Sequence, residues 1–81
     1  MMGDTESVGQ ETAEQRLSRL RRIVGRAPQD PELRYLLARQ LVDSSLVDEA
    51  IELAKSVIAM SPNHLAARKL LERALKLRSS Q

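Results

Sequence analysis

Apolar residues return every three or four positions along four stretches of this chain, and polar or helix-breaking residues separate the stretches. Ala13, Leu17, Leu20, Ile23 and Val24 make the first stripe, and Leu33, Leu36, Leu37, Ala38, Leu41 and Val42 the second. Ala50, Ile51, Ala54, Val57 and Ile58 make the third, and Leu65, Leu70, Leu71, Ala74, Leu75 and Leu77 the fourth. Such spacing places each set on one face of an α-helix. It predicts helices over about residues 12–26, 31–42, 47–60 and 65–77, in an all-α fold whose short connections make antiparallel neighbours.

Local signals agree with these limits. Thr12 with Gln15 three residues later fits a capping box, and Asp30-Pro31-Glu32 offers a cap, a first-turn proline and an acid at the positive end of the helix dipole. Gly25 lies in the last turn of the first helix, ahead of the break Ala27-Pro28-Gln29. Asp43-Ser44-Ser45 supplies turn residues, with Ser45 or a neighbour expected to cap the third helix; Asn63, after Ser61-Pro62, is expected to cap the fourth.

Pro28 and Pro62 stand 34 residues apart, and the chain matches itself at that shift. Leu17 falls on Ile51, Ile23 on Val57, Val24 on Ile58, Leu36 on Leu70, Leu37 on Leu71 and Leu41 on Leu75. The period suits a helix–turn–helix unit whose apolar faces are covered only by neighbouring units, so function is expected on a surface and not in a cleft. Residues 1–11 are polar, include Gly3 and Gly9 and carry no apolar period. The organisation expected is a flexible tail over 1–11, a helical domain over 12–78 and a flexible C-terminus over 79–81.

Composition narrows the classes of function. With 81 residues there is room for one small domain of marginal stability. Tyr35 is the sole aromatic ring, which leaves almost nothing for stacking on bases or sugars. Thirteen basic and 11 acidic residues leave a formal charge of only +2, far from a polycation. The absence of cysteine removes disulfides, thiolate metal sites and cysteine nucleophiles. No secretory signal pattern and no apolar run of membrane-spanning length occur, so a cytoplasmic protein with no membrane association is expected.

The segment Leu46-Val47-Asp48-Glu49-Ala50-Ile51, followed by Ala54, Val57, Ile58 and Met60-Ser61-Pro62-Asn63, resembles the second half of a tetratricopeptide repeat. Leu37-Ala38 and Leu41 match the first half, so one full repeat runs from Pro31 to about His64. Glu14 to Pro28 resembles a preceding second helix, and Leu65 to Leu77 a following first helix. Three positions depart from the pattern: Arg34 stands where an aromatic is common, and Arg16 and Glu72 replace small residues in the flanking half-repeats. Arg68, Glu72 and Lys76, four residues apart, are expected to form a charge ladder on a solvated terminal helix.

The resemblance implies a concave surface lined by the first helices of each repeat, which takes an extended or helical peptide. By position the candidates are Tyr35, Arg39, Val42, Lys69, Arg73 and Lys76, with Glu32 and Leu36 at the edge. Cations around a tyrosine suit an acidic peptide or a terminal carboxylate, although solvated helix faces explain the same residues equally well. A second reading is self-association, including a homodimer, through the under-covered first helix at Leu17, Leu20 and Val24. The weakest reading is nucleic-acid binding by Arg16, Arg19, Arg21, Arg22 and Arg26, for which a basic exposed face is the simpler account.

Chemistry of an enzyme is not visible. His64 is the one imidazole and sits at a helix start, Ser44 and Ser45 lie in a turn, and Asp48-Glu49 suits a helix N-terminus. Metal-ligand spacing, a phosphate-binding glycine loop and a nucleophile elbow are all missing from the sequence. A non-enzymatic module without cofactor is therefore expected.

Overall fold

A computed structural model describes residues 11–80 and contains four helices: α1 (Ala13–Arg26), α2 (Pro31–Asp43), α3 (Val47–Met60) and α4 (Leu65–Ser79). The described residues form no strand, so the fold is all-α. Each helix packs on its neighbour in sequence and α2 also touches α4; α1 packs on α2 and reaches α3 through the Arg21–Glu49 ion pair. None of these helices is long and apolar enough to cross a membrane.

The first two helix starts follow the sequence. Thr12 Oγ1 accepts from the Gln15 N–H at 3.0 Å while Gln15 Oε1 accepts from the Thr12 N–H at 2.9 Å, closing the capping box. Asp30 Oδ1 accepts from the Glu32 N–H at 2.9 Å, ahead of Pro31 in the first turn.

The next two starts differ from expectation. Ser45 does not cap α3; its φ of 64° ends α2 instead. The Leu46 N–H reaches back to the Leu41 carbonyl at 2.8 Å and the Ser45 N–H to Val42 at 3.0 Å, the paired bonds of a Schellman ending. Leu46 then opens α3 with no side-chain cap. At α4 the cap is His64 rather than Asn63, its Nδ1 accepting from the Ala67 N–H at 3.1 Å.

Apolar residues from all four helices form the interior. Leu41, Ile51 and Val57 are its largest fully enclosed side chains. Ala38, Ala50, Ala54, Ala67 and Ala74 are buried to 1% exposure or less, which lets the backbones approach closely. Burying a leucine of this kind contributes about 1.5–3 kcal/mol, so Leu41→Ala threatens the fold itself.

Arg34, a departure from the repeat pattern, has a structural role. Its Nε donates to the Pro28 carbonyl and its Nη1 to Ser56 Oγ on α3 at 3.0 Å. Arg68, one period later, donates to the Pro62 carbonyl at 2.8 Å. That orientation takes Arg68 out of the expected ladder with Glu72 and Lys76, and Glu72 has no ion-pair partner within 4.0 Å among the described residues.

Of the tail expected over residues 1–11, only Glu11 is described, and its carboxylate is tied to Arg19; residues 1–10 and Gln81 lie outside the described residues. Ser79 is the last residue of α4, and the Ser80 hydroxyl donates to the Lys76 carbonyl at 2.9 Å.

Candidate functional site

Side by side, α2 and α4 enclose a shallow cleft. Tyr35 and Arg39, one turn apart on α2, face Ala66, Lys69, Leu70 and Arg73 on α4. The Arg39 guanidinium carbon lies 5.8 Å from the centre of the Tyr35 ring, within range of a cation–π attraction. Behind Tyr35, the His64 ring packs at 4.9 Å between centroids and 44° between planes. The tyrosine is thus held from below by a helix cap and flanked above by cations.

Arg73 Nη2 lies 3.8 Å from Asp43 Oδ1, with both side chains more than half exposed. Such a pair is worth little in water and leaves Arg73 available to a ligand carboxylate. Lys69 forms no ion pair among the described residues. Lys76 joins Lys69, Glu72 and Arg73 around an adjoining hollow on α4.

Four of the six residues expected in the groove, Tyr35, Arg39, Lys69 and Arg73, therefore meet in one cleft, and Lys76 borders it. Val42 does not belong to it. It is 6% exposed and sits in the core, because the apolar stripe of α2 is wide enough to be covered on two sides.

A second cleft between α1 and α2 shares Arg39 and adds Arg16, Arg19, Leu20, Leu36 and Asp43. Sequence reading assigned Arg16 and Arg19 to a separate basic face. Antiparallel pairing sets the first turns of α1 beside the last turns of α2, and that register was the signal linking them to Arg39.

The self-association candidates on α1 also need correction. Leu17 is 8% exposed inside the core, and Leu20 and Val24 are partly buried against the same cluster. They are the inner face of α1, already spent on α2.

Much of the positive charge on α1 is neutralised. Arg19 donates to both Glu11 oxygens at 2.7 and 2.8 Å, and Arg21 donates to both oxygens of Glu49 on α3. The hydrogen bond from Arg19 outweighs the opposing effect of desolvation and, with lesser help from the charges of Arg19 and Arg16, holds the Glu11 carboxyl below its ordinary value. Arg21 does the same to Glu49. Arg16 is held only by longer contacts, 3.5 Å to Gln40 and 3.5–3.7 Å to Glu11.

Only one of the two His64 ring nitrogens, Nδ1, has a hydrogen-bond partner among the described residues. With Nδ1 accepting from Ala67, the neutral ring carries its proton on Nε2, which lies 2.7 Å from Glu32 Oε2 but outside hydrogen-bonding geometry. Among the described residues no three or more His, Asp or Glu side chains converge to hold a metal ion. No protein-family model, curated protein or solved structure matches the chain.

Proposed function

We propose that the chain is a protein-binding module of tetratricopeptide type that takes an acidic peptide or an acidic face of a partner helix along the α2–α4 cleft. The observation that carries this reading is the meeting of Tyr35, Arg39, Lys69 and Arg73 around one hollow with no carboxylate among its lining residues. A ring pinned by His64 offers an apolar platform of low entropic cost, and three cations offer charge-assisted bonds to carboxylates. The arginines of α1 support a nucleic-acid interface less well, since Arg19 and Arg21 already serve carboxylates of the same chain.

Fluorescence polarisation tests the proposal with two labelled peptides of matched length, one alternating glutamate with leucine and one alternating lysine with leucine. The acidic peptide should bind, and added salt should weaken it. Arg39→Glu/Arg73→Glu should weaken binding by about tenfold or more while leaving the helical circular dichroism intact. Equal binding of both peptides, or an undiminished affinity in the folded double variant, refutes it.

A further inference from the structure

At the 34-residue shift α1 matches α3 and α2 matches α4, so among the described residues the complete pair α2–α3 occurs once, and its counterpart at the ends would join an α4 to an α1. Among the described residues no helix packs on α4 as α3 packs on α2. Nor does any described helix pack on α1 as α2 packs on α3.

Equivalent positions show what each end is missing. Leu41 is fully buried, but Leu75, one period later, is 36% exposed. Val57 is fully buried, but Ile23, one period earlier, is only partly covered. The sharpest contrast is at the two alanines of the complete pair, Ala38 at 0% and Ala50 at 1% exposure. Their counterparts at the open ends are Glu72 on α4 and Arg16 on α1, both exposed and of opposite charge.

We propose that copies of this chain associate head to tail, α4 of one copy pairing with α1 of the next in the register of α2 with α3, so that Glu72 meets Arg16 across the joint. Charge complementarity at equivalent positions selects a second copy as the occupant, and it selects this polarity. A two-fold dimer through either end would instead join α4 to α4 or α1 to α1, and would bring no Glu72 to an Arg16. Among the described residues Glu72 has no ion-pair partner and Arg16 is held only by contacts of 3.5 Å or longer, so both are available. Two long side chains in place of two alanines hold the helices further apart, which makes the joint weak, salt-sensitive and reversible.

Sedimentation equilibrium of the full chain over rising concentration, with no peptide present, tests this. The average mass should climb past two copies without a plateau, and raised salt should lower it. Arg16→Glu alone and Glu72→Arg alone each place like charges at the joint and should weaken association by about tenfold or more. Mixed in equal amounts, the two variants restore an opposite-charge contact at every joint and should recover association; the double exchange in one chain should recover it too. Circular dichroism checks that each variant stays folded. A wild type that remains monomeric, a mass that stops at two copies, or variants that do not rescue one another on mixing would overturn the proposal.

Discussion

Arg68 Nε donates a 2.8 Å hydrogen bond to the carbonyl oxygen of Pro62, six residues earlier, and Arg34 makes the same bond to Pro28 one period before. Each arginine ties the start of its helix to the break that precedes it. Arg68→Met keeps the apolar stem and removes the donor, and should lower stability by about 0.5–1.5 kcal/mol. Arg34→Met should cost more, because Nη1 also reaches Ser56 on α3. Urea midpoints at unchanged slope measure both; midpoints equal to wild type would show that the bonds contribute nothing.

His64 caps α4 and supports Tyr35 at once. His64→Asn keeps a side-chain acceptor at the cap but removes the ring, whereas His64→Ala removes both. The alanine variant should lose about 1 kcal/mol or more, and the asparagine variant should recover part of that loss. Both should weaken binding of the acidic peptide by releasing the tyrosine. Thermal melts and peptide titration on the same two proteins separate the two roles.

Glycine is placed where it harms and missing where it would help. Gly25 lies within α1 and a Cβ there meets nothing within 4 Å, so Gly25→Ala should stabilise by about 0.5–1 kcal/mol. Ser45 holds a φ of 64° at the end of α2, where Ser45→Gly should stabilise by about 0.5 kcal/mol. Differential scanning calorimetry should show both melting temperatures rise; a fall for either would refute the gain assigned to it.

Acid should weaken the link between α1 and α3. Glu49 binds protons less readily when folded than its ordinary value of 4.5, through the Arg21 hydrogen bond. The unfolded chain thus takes up more protons near that pH, so the stabilisation is complete above 4.5 and disappears as pH falls below it. Both side chains of the pair are nearly half exposed, which limits the effect to about 0.5 kcal/mol or less. Stability followed from pH 6 to pH 3 should decline less steeply in Glu49→Gln than in wild type.

Much of the fold could be read from residue order, as the limits of α3 at Val47 and Met60 illustrate. Failures came where one residue type serves two purposes. Serine suits a helix start and a turn alike, and only the left-handed backbone at Ser45 decides between them. Asn63 and His64 can both accept a cap bond, and where the first turn begins chooses His64. Arg68 shows its neighbours four residues along the helix in the sequence, but not the Pro62 carbonyl that claims it. In the candidate site, spacing identified Tyr35, Arg39, Lys69 and Arg73, yet an apolar stripe does not mark its own dry margin, which is why Val42 was misplaced.

That every substantial helix packing joins sequence neighbours, α1 reaching α3 only through an exposed ion pair, bears on how the chain reaches its native state. Little loop-closure entropy has to be overcome before contacts form, so folding belongs to the fast, low-contact-order regime of helical proteins, about microseconds to milliseconds. The α2–α3 hairpin can assemble first and serve as the template on which the two outer helices dock independently. Its burial of Leu41 and Ile51 then governs the rate of folding, while the outer helices mainly set how slowly the molecule comes apart.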